Sequence, residues 1–211
     1  APSEMSNADY FAEWEEWKNT AVPGVSEERE EAVAIMKDCL ERNEIGLDIS
    51  FLGLTTLPKL PPFIKWLDVE HNKLTELSKL PEFITWLTVN CNNLTELHSL
   101  PRDLTHLRAE QNKLKKLSLP GGLEQLDVTD NELSELPALP TSLVVLLAGG
   151  NRLTALPTLS TSLRYLFVGK NLLTVFPKFP ARLQVLDIID NRITNFPESI
   201  THLPSTTKIY L

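Results

Sequence analysis

From residue 47 onward the chain repeats one arrangement of apolar and polar positions. Each unit opens apolar-x-apolar, runs on to an asparagine, and continues x-Leu/Ile-x-x-Leu/Phe. Leu67-Asp68-Val69-Glu70-His71-Asn72-Lys73-Leu74-Thr75-Glu76-Leu77 shows it in full, and Leu126 to Leu136 repeats it. The asparagines are Asn72, Asn92, Asn112, Asn131, Asn151, Asn171 and Asn191, spaced 20, 20, 19, 20, 20 and 20 residues apart. The opening triplet alternates at the period of a strand, so its apolar members point inward and their neighbours outward.

A fixed period of this length marks a solenoid of stacked coils, here of the leucine-rich repeat type. The predicted fold is an α/β repeat solenoid, a curved array whose short strands form a parallel sheet on the concave side. Eight repeats run from Leu47 to Ser205, and Lys208-Ile209-Tyr210-Leu211 reads as a truncated ninth. Because a solenoid ending on a bare strand exposes backbone and core, the native chain is expected to continue past Leu211. The asparagines read as a structural ladder. A coil that turns sharply leaves inward-facing backbone groups needing partners, and an amide both donates and accepts, serving the turns above and below. Leu52 stands at the Asn position of the first repeat, where a helical cap is expected to supply an apolar contact instead.

Twenty residues leave no room for a convex-side helix. Leu-Pro-x-Leu-Pro, as at Leu57–Pro61 and Leu136–Pro140, fills that side with extended backbone. The fourth repeat is one residue short at Leu117-Ser118-Leu119-Pro120, a loss expected on the convex turn.

Residues 1–46 differ in kind. Tyr10, Phe11, Trp14 and Trp17 fall at helical spacing, with Ser6 or Asn7 as N-cap. Val22-Pro23-Gly24 ends that helix. Ser26 is expected to cap a second one, with Glu27 and Glu28 at its positive end and Val33, Met36 and Leu40 as its stripe, flanked by Ala32, Ile35 and Cys39. The segment predicts an antiparallel α-helical hairpin that caps the solenoid. A separate membrane-surface or partner helix is the other reading of the Trp-rich stretch, but its polar face is acidic, against anionic lipid. The opening Ala1-Pro2-Ser3 reads as a cut or tagged end.

Charge sharpens this division. The formal net charge is −8; residues 1–46 hold twelve acids and four bases, and residues 47–211 hold sixteen of each. With no basic field on the repeats, nucleic acid is excluded as the expected partner. No run of about 18 apolar residues is present to span a membrane, and no signal peptide is visible. Two cysteines, Cys39 and Cys91, without a flanking Cys cluster, favour a reducing compartment. The Asn93-Leu94-Thr95 sequon carries no weight outside a secretory context.

The outward positions form three columns along the concave face. The first reads Gly46, Trp66, Trp86, His106, Gln125, Val145, Tyr165, Val185, and the second Asp48, Asp68, Thr88, Arg108, Asp127, Leu147, Phe167, Asp187. The third reads Ser50, Glu70, Asn90, Glu110, Thr129, Gly149, Gly169, Ile189. Trp66 and Trp86 are expected side by side near Asp68, Glu70, Arg108 and Glu110; Val145, Leu147, Tyr165, Phe167, Val185 and Ile189 form an apolar patch further on. Exposed clusters of this sort mark interaction surfaces, with Trp, Tyr and Arg as anchors. The candidate partner-binding residues are Trp66, Asp68, Glu70, Trp86, His106, Arg108, Glu110, Asp127, Leu147, Tyr165, Phe167 and Ile189. The plainer alternatives are that the Trp pair only shields the sheet, or that downstream chain covers the apolar patch.

No catalytic constellation has family-like context, and no cofactor is expected. His71 and Cys91 share an outward column, but two ligands do not make a zinc site. Gly149-Gly150 lacks the Lys-Ser/Thr and helix of a phosphate loop. Cys39 reads as core.

The run Ala8-Asp9-Tyr10-Phe11-Ala12-Glu13-Trp14-Glu15-Glu16-Trp17, then Ala21–Gly24, Arg29–Val33 and Lys37–Leu40, together with the Leu-Pro-x-Leu-Pro repeats, resembles the leucine-rich repeat region of the IpaH/SspH/SlrP effectors. These are bacterial type III secreted E3 ubiquitin ligases. The resemblance covers almost the whole chain. It implies injection into the host cytoplasm and repeats that choose the host protein to be ubiquitinated. It also implies a catalytic Cys in a later helical domain that nothing here matches, and a ligase domain that the repeats can restrain. YopM-like effectors share the repeats without the ligase domain and imply a non-catalytic scaffold for host signalling proteins; a cytosolic eukaryotic repeat adaptor is a further alternative.

Overall fold

The computed structural model describes residues 4–211; the reading of Ala1–Ser3 as a cut or tagged end lies outside them. Two helices, α1 (Asn7–Asn19) and α2 (Arg29–Glu41), precede a curved stack of coils. Nine three-residue strands make one parallel sheet: β1 (Gly46–Asp48), β2 (Trp66–Asp68), β3 (Trp86–Thr88), β5 (His106–Arg108), β7 (Gln125–Asp127), β8 (Val145–Leu147), β9 (Tyr165–Phe167), β10 (Val185–Asp187) and β11 (Lys208–Tyr210). In this sheet the middle residue of each strand from β1 to β10 is a Leu, registers with the next and is buried, from Leu47 to Leu186. With strands about 4.8 Å apart, nine strands span roughly 38 Å.

The ladder runs in one direction. Asn131 donates from Nδ2 to Val128 O of its own coil (2.9 Å) and to Ala109 O of the coil before (2.9 Å). Its Oδ1 accepts from Leu114 N, again of the preceding coil, at 3.0 Å. The same three bonds recur from Asn72 to Asn191. Each amide therefore serves its own turn and the one upstream, not one on either side.

The strands are short because the residue before each ladder Asn, and before Leu52 in the Asn position, turns left-handed. Phe51, His71, Cys91, Gln111, Asp130, Lys170 and Asp190 have φ between 53° and 59°, and Gly150 has 67°. That turn aims each N–H at the next coil, as in His71 N to Asn90 O (2.9 Å) and Lys170 N to Ile189 O (2.7 Å).

On the convex side most coils are extended, with two departures. First, β4 (Glu96–Leu97) and β6 (Lys116–Leu117) pair into a second, two-stranded parallel sheet. Ser118 N donates to Leu97 O at 2.9 Å, which a proline at that position could not do. The proline of the Leu-Pro pair is replaced at Ser78, His98 and Ser118, and the sheet forms across the last two of these coils. Second, a 3-10 helix, Glu198–His202, occupies the last full coil. Leu186 registers with Ile209, three residues beyond the usual twenty, and the extra length is wound into that turn.

The helices pack antiparallel: Trp17 at the end of α1 meets Arg29 at the start of α2, and Glu15 pairs with Lys37 at 2.9 Å. Ser6 and Asp9 form a capping box at α1. The expected Ser26 cap is not made. Helix α2 starts at Arg29, its N-cap Glu28 has no side-chain cap bond, and Glu30 and Glu31 are the acids of its first turn. Glu27 is drawn away, because its carboxylate accepts from Thr55 N (2.7 Å) and Thr55 Oγ1 (2.9 Å) of the first coil. Leu52, in the Asn position, is buried in the core, its own N–H accepted by Asn72 and its carbonyl bonded by Glu28 N. Trp14 and Trp17 tie α1 to the same coil through Nε1, to Lys59 O (2.6 Å) and Thr56 Oγ1 (3.0 Å). Cys39 is buried, and burial pushes its thiol up to about 11.

Candidate partner-binding face

The outward residues of the first two columns, from Gly46 to Asp187, stand in strand register, so these columns are continuous across the concave face. Trp66 and Trp86 are neighbours in register and remain 43% and 45% exposed. Their rings part rather than pair. Trp86 stacks on His106 with centroids 4.3 Å apart and planes within 3°. Trp66 leans the other way, over Gly46, where an added Cβ would fall 1.7 Å from Trp66 Cε2.

Below them lies an acidic group. Asp68 is half-buried, and its Oδ1 accepts from Glu70 N at 2.9 Å. Burial holds its carboxyl above the usual range, and Glu70 and Asp48 add to this against the pull of that N–H. Glu110 is raised by burial first, then by Asp127, Asp130 and Glu70, with Arg108 opposing. Its backbone N–H donates to Asn90 Oδ1, and its Oε1 accepts from Asn90 Nδ2. Arg108 is exposed. Asp127 is 7% exposed, its Oδ1 taken by Thr129 N at 3.0 Å. Of the candidate set it is the least available, because the strand turn claims one oxygen. A hollow of about 240 Å³ opens between Trp86, His106 and Arg108 on one side and Asp127, Val145 and Leu147 on the other.

Beyond the hollow the face turns apolar. Leu147 and Phe167 are half-buried neighbours in register, and Ile189 is 39% exposed. Tyr165 donates its hydroxyl to Gln184 Oε1 at 2.7 Å, so its tip is already held at the sheet edge.

His71 and Cys91 turn to other partners. His71 stacks on Phe51 at 4.2 Å, and Cys91 Sγ lies 3.0 Å from Gln111 Oε1. No group of three or more His, Cys, Asp or Glu that could hold a metal ion occurs among the described residues. No described helix is long and apolar enough to cross a membrane.

Sequence reasoning missed three features. The left-handed column hid because Phe51 and Cys91 are unusual there, although Asp130, Gly150 and Asp190 were a signal. Phe63 and Phe83, exposed and stacked at 6.3 Å beside the cap, follow Pro62 and Glu82 in matching positions of consecutive coils. Thr88 and Asn90, outward by period, are buried at 8% and 4% exposure beneath their larger neighbours.

Comparison with known proteins gives this architecture a class. The family described as "Type III secretion system leucine rich repeat protein" matches residues 1–34, and "Leucine Rich Repeat" matches residues 182–203. The solved Shigella effector LRR domain superimposes with a TM-score of 0.84 at 34% identity, covering 98% of each chain. YopM from Yersinia enterocolitica WA-314 gives 0.90 at 38%, covering 97% of this chain and 46% of that one. The chain belongs to the leucine-rich repeat effectors of type III secretion systems, whose repeats are protein-interaction domains. Among curated sequences, the outer membrane protein YopM of Yersinia pestis is 42% identical over 67 residues, and the E3 ubiquitin-protein ligase ipaH9.8 of Shigella flexneri 46% over 66. These matches take in 32% and 31% of this chain but only 16% and 12% of the relatives.

Proposed function

We propose that this chain is the substrate-recognition domain of a secreted E3 ubiquitin ligase effector, and that its concave face holds a host protein in the host cytoplasm for ubiquitination. The observation that carries the reading is the pair of indoles, Trp66 and Trp86, nearly half exposed on a rigid sheet that has no helix to shield for them. Aromatic side chains fixed on such a surface are the usual anchors of an interface. About 800 Å² per partner is a standard interface, and a sheet roughly 38 Å long accommodates it. The apolar stretch from Leu147 to Ile189 serves the same partner, or the ligase domain of the full-length protein when no substrate is bound. The likeness to YopM favours a second reading, a non-catalytic scaffold that binds host signalling proteins by the same face.

Capture of host protein on the immobilised domain tests the docking. Trp66→Ala with Trp86→Ala is expected to leave folding intact and weaken capture by at least about 2 kcal/mol; unchanged capture overturns the reading. The full-length gene product, supplied with ubiquitin, E1, E2 and the captured protein, separates the two alternatives. Conjugation of that protein supports the ligase, and binding without conjugation supports the scaffold.

A further inference from the structure

We propose that the partner segment seated on the N-terminal half of the concave face is cationic, an arginine- or lysine-rich stretch of protein lying across β1 to β7, past Trp66 and the Trp86–His106 stack. This rests on the docking reading above and specifies the chemistry of what docks.

The first support is unneutralised charge. Across β1 to β7 the outward face carries Asp48, Asp68, Glu70, Glu110 and Asp127 against one base, Arg108. None of the six takes part in the ion pairs found among the described residues. Burial first, and crowding by neighbouring carboxylates after it, hold Asp68 and Glu110 above the usual carboxylate range. An apolar partner would have to bury these unpaired carboxylates, a costly step. An incoming ammonium or guanidinium removes the same cost.

The second support is polar groups left waiting. Thr88 stands in register between Asp68 and Arg108, is 8% exposed, and its hydroxyl makes no hydrogen bond among the described residues. Asp127 is 7% exposed on the wall of the hollow, with one carboxylate oxygen used by Thr129 N and the other without a protein partner. Both atoms open onto the face and are free to accept from a donor outside.

The third is the aromatic flank. A guanidinium or ammonium over an indole face is attracted by the ring, and the long stems of Arg and Lys pack against it. Other occupants fit less well. The carboxylates are not gathered into a metal site. A second copy of the chain brings an acidic cap, with twelve acids and four bases in residues 1–46. An anionic membrane is repelled. The five strands from β1 to β7 span roughly 19 Å, the length of about six extended residues.

The test uses two probes. A labelled eight-residue peptide of alternating Arg and Leu is expected to bind the domain, and the matching Glu and Leu peptide is not. Asp68→Asn with Glu110→Gln should weaken the first peptide at least tenfold, while Glu13→Gln with Glu16→Gln, two exposed acids of α1, leaves it unchanged. Equal loss in both variants, or none in the concave one, overturns the cationic segment. In host lysate, p-benzoylphenylalanine replacing Gln125 is expected to cross-link a partner peptide of net positive charge. A neutral or acidic peptide overturns the cationic inference and leaves the docking reading standing. No adduct at Gln125 overturns the docking reading itself.

Discussion

Arg29 and Glu27 face each other at 3.2 Å with side chains only 5% and 1% exposed, at the joint between helical cap and first coil. Around the pair, Arg29 donates to Trp17 O (2.6 Å) and lies 4.7 Å from the Trp17 ring centroid, while Glu27 binds Thr55. Burial alone would raise the Glu27 carboxyl, but the Thr55 N–H, the Thr55 hydroxyl and Arg29 together hold it below its usual range. Removing one partner of a buried pair strands the other charge. Arg29→Ala should therefore cost about 3–5 kcal/mol. Arg29→Met with Glu27→Gln, which keeps an acceptor for Thr55, should recover at least half of that. Urea unfolding followed by the fluorescence of Trp14 and Trp17 measures both.

One concave tryptophan is positioned by a residue that has no side chain of its own. Gly46 has an ordinary strand conformation and is needed only because the Trp66 indole lies on it. Gly46→Ala should leave the fold intact but push the indole off the strand. Partner affinity is expected to fall as far as in Trp66→Ala alone, and adding Gly46→Ala to Trp66→Ala should cost nothing more. Separate, additive losses would show that Gly46 does not act through that ring.

The ladder can be tested at its centre. Asn131→Leu removes the partners of Ala109 O, Val128 O and Leu114 N together. A loss of about 1–3 kcal/mol is expected from the groups left unpaired, read as a lower melting temperature. An unchanged value would remove the amide from its structural role.

Much of this was legible because a fixed period assigns each residue to a face. The coil length, the asparagine spine and the outward columns all follow from the spacing of Leu67, Asn72 and Leu74 and its recurrence. What stayed hidden depends on contacts across coils. Ser26 reads as a cap in isolation, but Glu27 reaches Thr55, a partner that local sequence does not reveal. Arg29 falls in line with Ala32, Val33 and Met36, and an arginine on an apolar stripe was the available signal of a buried ion pair. The Trp66 and Trp86 rings separate because Gly46 offers one of them a floor and His106 offers the other a flat ring, a choice fixed by neighbours rather than by period.

The left-handed column makes a stability prediction that runs against residue conservatism. Lys170 holds φ at 54°, exposed, for no contact that glycine would lose except its side chain. A non-glycine residue there carries about 1–2 kcal/mol of strain, against roughly 0.5–1 kcal/mol of extra chain entropy for glycine. Lys170→Gly should thus stabilise by about 0.5–1 kcal/mol. Gly150→Ala should go the other way by at least about 1 kcal/mol, since its Cβ would meet Asp130 Oδ1 at 2.1 Å. Thermal melts of the two variants should move in opposite directions.

Acid titration should expose the charge stored on the concave face. Asp68 and Glu110 have folded pKa values raised above their unfolded ones, so the folded state binds more protons through that window. Stability from these two groups therefore rises as pH falls through the carboxylate range, and at neutral pH both weaken the fold. Glu27 has the opposite sign: its lowered value contributes stability at neutral pH that is lost as pH falls through the ordinary carboxylate range and below. The two effects separate by mutation. Asp68→Asn with Glu110→Gln keeps the hydrogen bonds to Glu70 N and leaves Asn90 a partner. At pH 7 that variant should melt higher than the parent protein, and the gap should close as pH drops past the folded values of the two carboxylates. Glu27→Gln should melt lower at pH 7, its deficit shrinking on acidification. A double variant that melts lower at neutral pH would mean that Asp68 and Glu110 are already neutralised within the domain, and that a cationic partner gains nothing from them.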